Sequence, residues 1–124
     1  TSAESVTSEV VAEMTEQQVK AMVGDTEGSS SSSSYGIHFD TNSYVLFRGS
    51  SYSASDPTNT TVITDPTIQF SNVLFPGGTI VFEKISGEIV GYVDGQDAFT
   101  IRHTESNDQN VVEMNKLGVV SQVQ

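Results

Sequence analysis

The stretch GSSSSSSYGIHFDTNSYVLFRG, residues 28–49, joins a block of serines to two segments in which apolar residues alternate with others. Alternation with a period of two is typical of half-buried β-strands. In the first segment Tyr35, Ile37 and Phe39 fall on one face, and the DTNS that follows has a turn composition. The stretch therefore predicts a β-hairpin that is preceded by a polar connection.

The segment before the serines has a helical period. In TSAESVTSEVVAEMTEQQVKAMV, residues 1–23, apolar side chains recur every three or four positions and so fall on one side of a helix. We expect this stripe to pack on the sheet through Ala3, Val6, Val10, Met14 and Ala21. Thr1 and Glu4 have the spacing of a capping box, and Gly24 favours a helix end.

A lone helix cannot form a domain, because its apolar stripe needs a partner surface. The only other apolar surface comes from the strands, so we interpret the serine run as a helix-to-sheet connection rather than an interdomain linker. The prediction is one α+β domain over 1–124, with an N-terminal amphipathic helix packed on antiparallel β-sheet. Its parts are a helix at 1–23, a mobile Ser-rich connection at 24–34 and a β-region at 35–124.

Further segments of strand length fill the β-region, and short turn sequences separate them. They are TTVIT (60–64), TIQFS (67–71), TIVFE (79–83), EIVGYV (88–93), AFTIRH (98–103), VVEMN (111–115) and VVSQV (119–123).

Charge and composition exclude several classes of function. The net charge is −11, from 16 acidic and 5 basic residues, so the general surface repels nucleic acid. The absence of cysteine excludes disulfides, thiolate zinc sites and a cysteine nucleophile in these residues. No nucleophile elbow, phosphate-binding loop or HExxH motif is present, so we predict no catalytic residue and no enzyme activity.

Acidic residues suggest two binding features, each with a simpler interpretation. Asp94 and Asp97 flank a glycine turn and offer oxygen ligands of the kind that calcium prefers, or they form a solvated hairpin turn. On the helix, Glu9, Glu13 and Glu16 form a stripe that is either an interaction face for a basic partner or an ordinary solvated surface.

Two further pairs of polar residues are candidate ligands. His38 and His103 lie on predicted strands, where a metal would need a third ligand that the sequence does not mark. We therefore interpret them as half-buried or surface histidines. Asp40 and Asn42 could likewise supply oxygen ligands, but these residue types also stabilise tight turns.

The order of the segments resembles the type IV pilin-like proteins, and most closely the minor pilins and type II secretion pseudopilins of the GspH/FimT kind. In that branch a strand with Tyr-Gly and Phe pairs with a strand ending in Phe-x-Gly, an apolar strand followed by glycine comes later, and an Asn-x-x-Gly-x-Val hairpin closes the chain. The corresponding residues are Tyr35, Gly36, Phe39, Tyr44, Phe47, Gly49, Ile80, Phe82, Gly87, Val112, Asn115, Gly118 and Val120. The resemblance covers residues 3–122.

The resemblance implies a structural subunit of a type IV pilus or a type II secretion pseudopilus, in a minor role and without a cofactor. Its partners would be other subunits, at the bacterial cell surface or in the periplasm. Family members have a cleaved leader, prepilin-type methylation and an apolar half-helix that anchors them in the inner membrane before filament assembly. Residues 1–124 contain no such segment, so the resemblance implies that 1–23 is the amphipathic half of a longer helix.

One alternative is a secreted adhesin or carbohydrate-binding β-rich module. In that case the long polar stretch SSYSASDPTNTTVITDP, residues 50–66, would be the recognition surface.

Overall fold

The structure is a computed structural model that describes residues 2–23 and 33–124. One helix packs on two antiparallel four-stranded sheets, which confirms the predicted α+β class. The elements are α1 (Ala3–Met22), β1 (Tyr35–Phe39), β2 (Ser43–Arg48), β3 (Thr60–Ile63), β4 (Ile68–Ser71), β5 (Thr79–Phe82), β6 (Ala98–His103), β7 (Gln109–Met114) and β8 (Val120–Val123).

The start of α1 differs by one residue from the predicted capping box. Ser2 is the N-cap, and its hydroxyl accepts a hydrogen bond from the Ser5 amide at 3.1 Å. The Ser5 hydroxyl in turn accepts from the Ser2 amide at 3.3 Å, so Ser2 and Ser5 form the capping box. Thr1 of the predicted pair lies outside the described residues. The predicted stop at Gly24 and the connection 24–34, apart from its last two serines, lie outside the described residues.

The apolar stripe of α1 is buried. Val6, Val10, Met14 and Ala21 are 6%, 0%, 1% and 0% exposed, and α1 contacts β1, β5, β6 and β7. Burial of each larger side chain stabilises the helix on the sheets by roughly 1.5–3 kcal/mol. Most of the stability of a helix in a protein comes from the packing of its amphipathic face, so this burial is what holds α1 in place.

Two sheets form the β-region. Sheet A has the strand order β3-β2-β1-β5, and sheet B has the order β4-β6-β7-β8. The predicted hairpin is confirmed, since β1 pairs with β2 from Tyr35↔Arg48 to Phe39↔Tyr44. The turn between these strands closes with a 2.9 Å hydrogen bond from the Asp40 amide to the Ser43 carbonyl.

An aromatic cluster joins the two sheets beneath α1. Phe39 of sheet A lies 4.5 Å from Phe99 and 5.3 Å from Phe70 of sheet B, measured between ring centroids. Tyr44 adds an edge-to-face contact with Phe70 at 5.7 Å. Strand residues of alternating polarity therefore direct one row of aromatic side chains from each sheet into a shared core.

The predicted strand EIVGYV is wrong. Within residues 33–124 this segment makes a single bridge, Phe82↔Ile89, and then turns at Gly91, whose φ is +67°. A glycine in this conformation ends the extended backbone that a ladder needs, although the composition of the segment is typical of a strand. No helix in the described residues combines the length and hydrophobicity needed to span a membrane.

Candidate functional site

A cleft of about 410 Å³ lies on the face of sheet A that points away from α1. Side chains alternate along a strand, so His38 faces outward between Ile37 and Phe39, which are buried in the core. On β5, Thr79 and Val81 face outward in the same way. These three outward-facing residues form the floor of the cleft.

The connection between β2 and β3 forms one wall and holds Tyr52 over the floor. The Tyr52 ring stacks on His38 with 4.0 Å between centroids and 5° between planes, and it meets the edge of Phe47 at 5.7 Å. The Asn59 amide group donates to the Ser53 carbonyl at 2.7 Å and so closes this connection on itself. A polar sequence thereby places an aromatic ring at a defined position.

The segment 89–96 forms the opposite wall. The Val90 amide donates to the Val81 carbonyl at 2.9 Å, which ties this wall to β5. Further along, the Tyr92 hydroxyl donates to Asp97 Oδ2 at 2.6 Å. This hydrogen bond, with desolvation, raises the pKa of Tyr92 to about 12. The Tyr92 ring is thus anchored through its hydroxyl and remains half-exposed along the cleft.

His38 is held in place by its neighbours. Its Nδ1 lies 2.8 Å from the Thr79 hydroxyl, which donates to the Gly77 carbonyl at 3.2 Å. Nε2 lies 3.4 Å from Asp40 Oδ1. The ring therefore serves as a fixed platform beneath Tyr52.

The cleft lining has little charge. Among the described residues that line it, His38 is the only ionisable group apart from two tyrosines, and no carboxylate, lysine or arginine is included. Ser50, Ser51 and Gln96 offer side-chain hydroxyl and amide groups that make no hydrogen bond to the rest of the described chain. The arrangement can bind a neutral molecule that has both apolar and hydrogen-bonding parts.

The two candidate calcium ligands lie in different environments. Asp97 is 8% exposed and accepts the Tyr92 hydrogen bond, whereas Asp94 is exposed in the turn that contains Gly95. In residues 2–23 and 33–124 no group of three His, Asp or Glu side chains comes close enough to hold a metal ion. The role of Asp97 is therefore to anchor Tyr92.

The acidic stripe of α1 is only partly at the surface. Glu9 and Glu16 are exposed, but Glu13 is half-buried and one of its carboxylate oxygens is inaccessible to solvent. Burial, followed by the nearby Glu13 carboxylate, raises the pKa of Tyr44 far above its ordinary value. The exposed part of the acidic stripe accordingly consists of Glu9 and Glu16, with Glu13 turned toward the sheet.

Two glutamines on α1, which sequence reasoning did not select, join the helix to the sheets. Gln17 is 4% exposed, and its amide donates to the carbonyls of Gly36 at 2.9 Å and Phe47 at 3.1 Å. Gln18 donates to the carbonyls of Gly87 at 3.0 Å and Leu117 at 2.9 Å. The sequence carries a signal for Gln17, because this polar residue occupies a position of the apolar helical stripe. A buried side-chain amide there needs hydrogen-bond partners.

Two glycines allow this close approach. Gly87 and Gly118 have φ of +71° and +79°, and both lie under the C-terminal half of α1. A β-carbon at Gly118 would lie 2.8 Å from the Gly87 carbonyl oxygen and would also meet Gln18 Nε2. We call these two glycines, together with Gln17, Gln18 and Gly36, the helix seat.

The remaining candidate ligands lie apart. His38 is on β1 in sheet A, whereas His103 is at the end of β6 in sheet B and accepts a 3.2 Å hydrogen bond from the Ser106 amide. Asn42 donates to the Ile68 carbonyl at 2.7 Å and thus ties the β1–β2 turn to sheet B. Its role in the described structure is that of a turn residue.

Comparison with known proteins adds no relative. No family model matches the chain, and neither the curated proteins nor the solved structures contain a match.

Proposed function

We propose that this chain is the globular part of a filament subunit of the type IV pilin-like kind, in a minor role in a pilus or a type II secretion pseudopilus. The observation that carries the proposal is the helix seat. The seat glycines Gly36, Gly87 and Gly118 are all positions on which the resemblance rests, and each lies where α1 meets the sheets.

The other resemblance positions support the same junction. Most are buried residues on the strands; Phe47 packs against Tyr52 on the face of sheet A that points away from α1, and the others that are buried belong to the core. The buried members are Tyr35, Phe39, Tyr44, Phe47, Ile80, Phe82 and Val112. Asn115 accepts a 3.2 Å hydrogen bond from the Val119 amide and closes the last hairpin. The motif positions that face α1 therefore support its mounting on the sheets.

A filament subunit needs such a mounting, because a helix that packs among its neighbours must carry its outer domain at a fixed angle. Four amide hydrogen bonds and a buried apolar stripe hold α1 against both sheets. Exposed Glu9 and Glu16 would meet basic side chains of neighbouring subunits, each pair contributing about 0.2–1 kcal/mol. Most of the assembly energy would come from an apolar segment upstream of residue 1.

The native N-terminus and cross-linking in the native host test this proposal. We expect a leader and roughly 20 apolar residues directly upstream. Residues 1–124 contain no cysteine, so Glu16→Cys provides a single thiol in this part of the chain. Labelled with a thiol-reactive photo-cross-linker, it should form cross-links to other subunits in sheared surface filaments or in the assembled pseudopilus, whereas Ser106→Cys with the same label, in an exposed turn of sheet B, should not. A secretory signal without an apolar helix, or a protein absent from every filament fraction, would contradict the proposal.

A further inference from the structure

We propose that the cleft on the outer face of sheet A binds a neutral saccharide. This inference goes beyond filament assembly and does not depend on it, because the cleft is built from residues of sheet A and its connections alone.

Charge is the first argument for this ligand class. The chain carries a net charge of −11, yet the described residues that line the cleft include no carboxylate and no basic side chain other than His38. The surrounding acidic surface repels anions, and the lining has no carboxylate with which to bind a cation. These two features favour a neutral ligand over an anion or a cation.

The pairing of ring faces with hydroxyl and amide groups is the second argument. Tyr52 and Tyr92 stand on opposite walls, where Tyr52 is held by its stacking on His38 and Tyr92 by its hydrogen bond to Asp97. Between and beside them lie Ser50, Ser51 and Gln96, whose polar groups make no hydrogen bond to another described residue. A pyranose has an apolar C–H face and a rim of hydroxyls, and such a ring matches this lining.

Size and rigidity are the third argument. A volume of about 410 Å³ lies within the range of small-molecule sites and accommodates one or two sugar rings. One wall is closed on itself by the Asn59–Ser53 hydrogen bond, and the other is tied to β5 by the Val90 amide. A pre-formed site avoids the entropy loss of ordering its walls when the ligand binds. We expect a Kd on the order of 1 mM for a single sugar ring.

The experiment is a titration of the full chain, followed by amide chemical shifts. The probes are methyl glycosides of glucose, galactose, mannose and their N-acetylated forms, then the corresponding disaccharides, each to about 20 mM. We expect at least one neutral sugar to shift the amides of residues 50–52 and 90–93. The uronic acid of the same sugar should bind at least about tenfold more weakly.

Two matched variants locate the site. Val90 lines the cleft and is 49% exposed, whereas Val119 lies in the β7–β8 turn and is 52% exposed. Val90→Asp replaces an apolar contact with a carboxylate that loses its hydration when the apolar face of the sugar covers it, and it should weaken sugar binding at least about tenfold, while Val119→Asp should leave it within about twofold. Shifts located elsewhere, equal effects of the two variants, equal binding of the uronic acid, or no binding to any of the sugars would each overturn the proposal. Occupation of the cleft by a proline-rich peptide with no sugar binding would also overturn it.

Discussion

Replacement of Gly118 by alanine tests the helix seat directly. The added β-carbon requires an L-residue at φ +79°, which costs about 1 kcal/mol. It would also lie 2.8 Å from the Gly87 carbonyl oxygen, and it would displace the Gln18 amide from its two hydrogen bonds. Loss of those bonds costs roughly 2 kcal/mol, so we expect Gly118→Ala to lower the free energy of unfolding by about 3 kcal/mol.

Gly95→Ala is the matched control, because Gly95 has φ +90° and a β-carbon added there would meet no atom of the described residues within 4 Å. It should cost only the backbone term of about 1 kcal/mol. Urea unfolding followed by far-ultraviolet circular dichroism measures both variants, and a constant m-value shows that stability alone has changed. In a Gln18→Ala background the cost of Gly118→Ala should fall by roughly 1–2 kcal/mol. Equal costs for the two glycine variants would refute the close approach at the seat.

Three other changes probe the core, the helix start and the cleft wall. Phe99→Ala removes a fully buried ring and should cost about 3–5 kcal/mol in urea unfolding. Ser2→Ala should cost about 1 kcal/mol as the loss of an N-cap, whereas Ser8→Ala, at an exposed position inside α1, should not destabilise the protein. Because the pKa of Tyr92 is raised to about 12 by its bond to Asp97, the stability from this contact is fully present below pH 10 and is lost as pH rises toward 12. Tyrosine absorbance as a function of pH should show the late ionisation of Tyr92, and unfolding as a function of pH should show the loss of stability. Tyr92→Phe should abolish this pH dependence.

The helix and the hairpin were predictable because their signals are local and periodic. The apolar stripe of α1 and the alternation in Tyr35–Phe39 each repeat at the spacing of one element, so neighbours in sequence define the buried face. The false strand at 88–93 shows the limit of such patterns. Its composition favours a strand, but the left-handed turn at Gly91 leaves only the bridge at Ile89.

The cleft was not predictable from local patterns, because its parts come from four separated regions of the chain. Tyr52 lies in the long polar stretch 50–66, which was given a role only under the adhesin alternative, and His38 was interpreted as a half-buried or surface histidine. Their stacking depends on how the β2–β3 connection folds over sheet A. Asp97 looked like a candidate calcium ligand for the same reason, since nothing in the sequence indicates that the Tyr92 hydroxyl reaches it.

Strand β1 takes part in both the helix seat and the cleft, and the two proposed roles are geometrically compatible. The Gly36 carbonyl accepts from Gln17 in the helix seat, and two residues later His38 faces outward into the cleft. If α1 lies toward the axis of a filament, the opposite face of sheet A lies toward solvent, where a saccharide can reach it. A saturating neutral sugar should therefore leave Glu16→Cys cross-linking between subunits unchanged. A sugar that prevented the cross-links would place the cleft within the subunit interface, and the assumed orientation of α1 would be wrong.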